Sequence, residues 1–253
     1  MDWMVLLVVL AGLACGFINV LAGSGSLISL PILIFMGLDA KVANGTNRVA
    51  ILCQNIVGVG GYYRQGVLDT RHGPRLMVPA VVGALLGAKL AVELDENLMR
   101  LVISLVMFLM LGVILVKPKR WLEGAVAPQR EGFRLGEVLV FFAIGVYGGF
   151  IQAGVGVFLL AGLVLQSGYD LVKANAVKLL IVLGYTPFAL AIFIWEGQVD
   201  WTYGLLLACG NMLGAWLGTK VAVSWGPAFV RWVLIAVVAV SAVRMLGLSL
   251  GWF

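Results

Sequence analysis

Eight stretches of about 20 mostly apolar residues follow one another along this chain, near 4–22, 41–63, 74–93, 97–116, 135–153, 173–195, 203–222 and 228–247. A helix needs about that length to cross the hydrocarbon core of a bilayer. Of the 253 residues, 62% are hydrophobic and 11% charged, against about 25% charged in a soluble domain. Too few ionic groups remain to coat a water-soluble globule. That excludes a soluble enzyme, a nucleic-acid binder and a disordered chain, and predicts an all-α polytopic membrane protein. No basic stretch precedes the first apolar run, so that run is expected to stay as a span rather than leave as a signal.

Two further apolar runs, near 25–37 and 156–168, are too short to span. Each follows a glycine-rich break, Ala22-Gly23-Ser24-Gly25-Ser26 in one case and Ala153-Gly154-Val155-Gly156 in the other. Each reads as a half-length helix that starts inside the membrane.

An offset of 131 positions superimposes the two halves without a gap. Gly23 and Gly25 fall on Gly154 and Gly156, Asp39 on Asp170, Asn44 on Asn175, Gly66 on Gly197, Asp69 on Asp200 and Lys89 on Lys220. Apolar composition repeats Leu and Val by chance, but does not hold one register at Gly, Asp, Asn and Lys. The chain therefore divides into a first transmembrane repeat 1–116, a cytoplasmic linker 117–134 and a second repeat 135–253, each of about five helical segments.

Loop charge sets the orientation, because cytoplasmic loops carry the excess Lys and Arg. The 64–75 loop holds Arg64, Arg71 and Arg75, whereas its repeat partner, 195–206, holds Glu196 and Asp200 and no base. Equivalent loops on opposite faces mean inverted repeats with both termini extracytoplasmic, provided the short helices count as crossings. If they re-enter instead, the halves are parallel.

Interrupted helices in inverted repeats are a transporter architecture. A helix start leaves backbone N–H groups unpaired and partly positive, and glycine lets a ligand approach them. Gly23, Ser24, Gly25, Ser26, Gly154 and Gly156 are the candidates at the breaks, with Asn19 and Gln152 beside them. Asn44, Asn47 and Arg48 on the helix after the first short segment join them, as do Asn175 and Lys178 after the second. Arg48 and Lys178 stand in apolar runs with no carboxylate at helical spacing, so an anionic substrate would supply the missing charge. Snorkelling to the interface is the structural alternative for both cations, and tight helix packing the alternative for the glycines.

Asp39 and Asp170 precede helix starts and read as N-caps. Lys89 and Lys220 read as snorkelling span ends, and His72 as a loop residue. Cys15, Cys53 and Cys209 read as small buried hydrophobes. One His, with no metal-ligand cluster and no paired acids within the spans, points away from an enzyme; no cofactor or metal is expected.

The stretch Gly16 to Asn44, and its echo from Tyr147-Gly148-Gly149-Phe150 to Lys178, resembles the sulfite exporter TauE/SafE family over essentially the whole chain. The resemblance implies a permease of the bacterial plasma (inner) membrane that exports sulfite, sulfoacetate or related organosulfur anions. The expected partners are a small anion and the lipid bilayer, not nucleic acid; a homodimer is left open. A small-anion channel, or a carrier of another small carboxylate or sulfonate, remains the alternative.

Overall fold

The computed structural model describes residues 3–116 and 135–221, all nine elements of which are helices. The expected span at 228–247 and the linker 117–134 lie outside the described residues. Helix α1 (Trp3–Ala22) ends at the first glycine break, and α2 (Ser26–Phe35) is the first short helix. Then come α3 (Ala40–Arg64), α4 (Gly73–Glu93) and α5 (Glu96–Val116). In the second half, α6 (Leu135–Phe150) ends at the second break. Helix α7 (Val155–Ala161) runs on through a wider π turn (Gly162–Gln166), followed by α8 (Leu171–Trp195) and α9 (Trp201–Val221). Among the described residues, three helices are long and apolar enough to cross a membrane by length and composition, at Val5–Ala22, Gly73–Glu93 and Leu171–Trp195.

The repeat read from the sequence is also a repeat of conformation. Helices α3 and α8 begin and end 131 positions apart. Among the described residues, the six glycines with positive φ form three pairs at that offset: Gly23 and Gly154, Gly37 and Gly168, Gly66 and Gly197. These are turns that only glycine takes without strain.

Contacts between the halves show that they are inverted. One end of the molecule carries the loop 65–72 and is rich in Arg; the other carries Asp95, Glu96, Glu196 and Asp200. Gln198 Nε2 donates to Val92 O at 3.2 Å at the acidic end, and Tyr169 Oη donates to Asp69 Oδ2 at 2.9 Å at the basic end. Helix α3 runs from the acidic to the basic end; α8, its repeat partner, packs against it in the opposite direction, with Gly45 against Phe193 and Gly58 against Leu179. The short helices turn the chain back, each forming a hairpin with the helix before it. The expected link between re-entry and parallel halves therefore fails: the three helices that follow α2 still leave the halves inverted. Ser167 Oγ donates to Glu137 Oε1 at 2.8 Å, so α7 ends where α6 began. Helices α1 and α2 pair likewise, with Cys15 beside Ser29 and Asn19 beside Gly25.

The halves interlock. Helix α1 packs mainly on α9 and α6 mainly on α4, each pair parallel and each drawn from different halves. Glycine seams let the backbones meet: a Cβ on Gly16 would strike Asn211 O, and one on Gly87 would strike Val146 O. Such close packing is the usual glue between helices in lipid. Two bundles result, α1–α2–α3–α9 and α4–α6–α7–α8, joined along the antiparallel α3–α8 contact.

Polarity is arranged for lipid. Val78, Val82, Leu86 and Leu90 of α4 and Leu105 and Leu109 of α5 are exposed, whereas Asn44, Asn47, Arg48, Gln54, Asn55, Lys178 and Asn211 are buried. One expected cap is replaced. Asp170 accepts from Val172 N and Lys173 N at the start of α8, but the Asp39 side chain makes no cap bond. The Glu96 carboxylate takes its place, accepting from Ala40 N at 2.7 Å and Lys41 N at 3.2 Å, and tying α5 to the start of α3. A carboxylate at a helix N-terminus is favourable whichever element supplies it.

Candidate functional site

A helix that stops inside a bilayer strands its last carbonyls, which carry the negative end of the peptide dipole. Here two helices, α1 and α6, end at the glycine breaks, and the breaks touch. Gly156 N donates to Gly23 O at 3.1 Å, and a Cβ on Gly23 would come within 2.5 Å of Gly156 Cα. The two gaps expected from the sequence therefore meet, backbone against backbone.

Arg48, fully buried, sends its guanidinium from α3 to the end of α6. Nη2 donates to Gly149 O at 2.6 Å, while Nη1 donates to Gly148 O at 3.1 Å and Gln152 Oε1 at 3.3 Å. The group also lies 4.6 Å from the centre of the Phe193 ring. Asn44 Nδ2 donates to Phe150 O at 2.8 Å, holding the next carbonyl.

Lys178, 1% exposed, does the converse from α8. Its Nζ donates to Asn19 O at 2.9 Å and Val20 O at 3.4 Å, the end of α1, and to Asn175 Oδ1 at 2.6 Å. Neither cation snorkels, and among the described residues neither has an ion-pair partner. Each half thus lends a cation to the severed helix of the other.

The remaining candidates divide. Gln152 joins the two cations' surroundings: its Oε1 receives Arg48, and its Nε2 donates to Tyr185 Oη at 3.0 Å. Gly154 closes on Met110, whose Sδ a Cβ would meet at 2.5 Å. Asn47 is occupied within its own half, accepting from Ser29 Oγ at 2.6 Å and donating to Ser26 Oγ at 3.1 Å. Ser24 Oγ reaches only Ala22 O, at 3.4 Å, and Gly25 packs on Cys15 O. The structure therefore gathers Asn19, Gly23, Asn44, Arg48, Gln152, Gly156, Asn175 and Lys178 around the crossing. Asn47, Ser24, Gly25 and Ser26 instead serve the fold of the first hairpin.

Beside the crossing lies a cavity of about 10 Å³, room for about one water. Asn19, Asn55, Gln152, Gly156 and Lys178 line it together with aliphatic Val155, Leu179 and Val182. Gln54 adds a polar knot behind it, its Oε1 accepting from Asn19 Nδ2 at 3.2 Å and Asn211 Nδ2 at 3.1 Å. Gln54, Asn55, Asn211 and Tyr185 were not singled out by sequence reasoning. Buried amides inside apolar runs are the signal that could have found them.

Comparison with known proteins follows the same line. A family profile described as sulfite exporter TauE/SafE matches residues 8–245. A "Probable membrane transporter protein ORF9" of Sinorhizobium sp is 27% identical over 241 residues, covering 93% of this chain and 90% of that protein. A "Probable membrane transporter protein" of Haemophilus influenzae is 26% identical over 245 residues, covering 96% and 94%. The "Probable membrane transporter protein YfcA" of Escherichia coli K12 is 27% identical over 232 residues, covering 91% and 85%. No solved structure matches the chain.

Proposed function

The chain belongs to the sulfite exporter TauE/SafE family, and from that premise we propose that it is a secondary transporter exporting small sulfur oxyanions or organosulfur anions, sulfite and sulfoacetate among them, by alternating access. The observation that carries the anion is the pair of buried cations, Arg48 and Lys178, at the contact of the two breaks, each hydrogen-bonded among the described residues to neutral oxygens alone. A cation in the bilayer centre costs about 3 kcal/mol on insertion scales. A fold retains two at such cost where their charge is used.

The bodies that rock against each other are the two interlocked bundles rather than the two sequence halves, since most tight seams join helices of different halves. Parting α1–α2–α3–α9 from α4–α6–α7–α8 would open the Gly23–Gly156 contact and expose both cations to cargo. With the end that carries Arg64, Arg71 and Arg75 in the cytoplasm of a bacterial cell, the membrane potential expels an anion with about 2.3 kcal/mol per charge per 100 mV. That suffices without a carboxylate proton relay.

The test is a thermal-shift screen of purified protein against sulfite, sulfoacetate, other sulfonates and small carboxylates, followed by flux in proteoliposomes. Saturable export of a stabilising anion is the expected result. Absence of any stabilising anion defeats the anion reading, and single-channel currents would make the protein a pore. A membrane-impermeant thiol reagent should reach a cysteine at residue 66 from the cytoplasmic face alone and one at residue 198 from the opposite face alone.

A further inference from the structure

Asn55 has a polar atom that nothing else in the site explains. It sits on α3 and is 1% exposed, and it lines the cavity beside Lys178 and Gln152. Its Nδ2 donates to Ile51 O at 2.8 Å. A backbone carbonyl can only accept, so this bond fixes which end of the amide is nitrogen. Its Oδ1 is then a buried acceptor with no partner among the described residues, a rarity in folded proteins.

The other polar side chains lining the cavity are engaged. The three protons of Lys178 have Asn19 O, Val20 O and Asn175 Oδ1. Gln152 is engaged at both ends, and Asn19 Nδ2 is on Gln54. What this wall still offers a ligand is one cation, whose longest bond, to Val20 O at 3.4 Å, yields first, and, in Asn55 Oδ1, a fully buried acceptor without a partner among the described residues. A fully deprotonated oxyanion carries lone pairs alone and would set them against Asn55 Oδ1. An oxyanion that keeps one proton can turn its charged oxygens to Lys178 and its O–H to Asn55.

We infer that Asn55 is a specificity-determining residue that selects a singly protonated oxyanion, one carrying an O–H as well as its negative charge. This rests on the anion reading above. At about 10 Å³ the cavity takes a water at rest, and the cargo fits once the bundles part. Titratable or charged groups around it are Lys178 and Tyr185 on α8 and Arg48 on α3. The lining residues from α1 and α7 do not titrate. The cargo's own proton is what Asn55 reads.

The experiment measures binding of sulfite and of methanesulfonate to the full chain in lipid nanodiscs, from below to above the pH at which hydrogen sulfite loses its proton. Methanesulfonate has the same anionic head, with no O–H over that range. Wild-type affinity for total sulfite should fall with the protonated fraction and more steeply than affinity for methanesulfonate, whose profile reports any titration of the protein's own groups. Asn55→Leu, similar in size, should weaken sulfite binding at the acid end about tenfold, lose the excess pH dependence of sulfite over methanesulfonate and leave methanesulfonate binding no weaker. A wild-type sulfite profile no steeper than that for methanesulfonate overturns the inference, and that series needs no variant to fold. An Asn55→Leu protein that keeps the wild-type excess overturns it too. If both anions bind and only these signatures are missing, the anion reading stands without Asn55. If neither binds at any pH, both readings fall.

Discussion

The two glycine breaks descend from one repeat, yet they finish their severed helices differently. Phe150 O and Asn19 O are equivalent carbonyls, 131 positions apart; the first is held by the neutral amide of Asn44 and the second by the ammonium of Lys178. Asn175, the repeat partner of Asn44, instead receives Lys178. A donor at that carbonyl is therefore what a broken helix requires, and an uncharged one suffices. The charge on Lys178, and that on Arg48 at the other break, exceeds what capping needs. That excess separates a fold requirement from a candidate function.

The largest effect should come from the contact the two breaks share. Gly23 and Gly37 both have positive φ, +73° and +96°, but a Cβ meets the backbone of Gly156 at the first and nothing within 4 Å at the second. Gly37→Ala should cost only the left-handed strain, about 1–2 kcal/mol. Gly23→Ala adds an overlap with backbone that cannot turn aside, and should abolish both transport and a cooperative melt. Comparable melting of the two variants would mean that the breaks do not press together.

Next in size is the contrast between the two cations. Arg48→Met takes the guanidinium from Gly148 O and Gly149 O, two buried carbonyls at about 1–3 kcal/mol each. Lys178→Met leaves Asn19 O with a second donor, Gly23 N at 2.9 Å, so Val20 O and the half-buried Asn175 Oδ1 lose their donor, against two fully buried carbonyls for Arg48→Met. Thermal unfolding should therefore show the larger loss for Arg48→Met. Anion binding, by contrast, should vanish in Lys178→Met even though its melt is better preserved. The reverse order of stabilities would break the comparison.

Much of this was legible in the residues. The 131-position register fixed the repeat, the short helices and the pairing of the breaks, because glycine and aspartate at turns cannot be exchanged freely. Loop charge then chose inversion correctly. What the cations touch was not legible, since a backbone carbonyl acceptor leaves no mark on the sequence. Arg48 and Lys178 looked unpaired because only carboxylates were countable. The interlocking of the halves escaped for a similar reason: a glycine seam such as Gly16 against Asn211 names no partner until the helices are placed. Asp39 was misjudged as a cap because Glu96, which does the capping, lies far along the chain.

The smallest predicted effect compares the two ends of the molecule through another pair of repeat partners, Asp69 and Asp200. Asp200 Oδ1 accepts from Tyr203 N, closing its own turn. Asp69 accepts from the amides of Arg71 and His72, from the His72 ring and, across the halves, from the Tyr169 hydroxyl. Burial pushes its carboxyl up, but these hydrogen bonds outweigh it and hold the group below its ordinary value. The folded state then favours the ionised form. Its stabilisation is complete above the ordinary carboxylate pKa of about 4 and is lost as pH falls through the lower folded value. Asp69→Asn keeps an oxygen for the two amides but turns the bonds to Tyr169 and His72 around and removes the charge that strengthens them. Melting at neutral pH should drop by the equivalent of about 1 kcal/mol, with a flatter decline into acid than the wild type. Asp200→Asn should stay within about 0.5 kcal/mol, because asparagine caps a helix turn about as well as aspartate. Equal losses in the two variants would mean that the Tyr169–Asp69 bond does not fasten the halves together at the basic end.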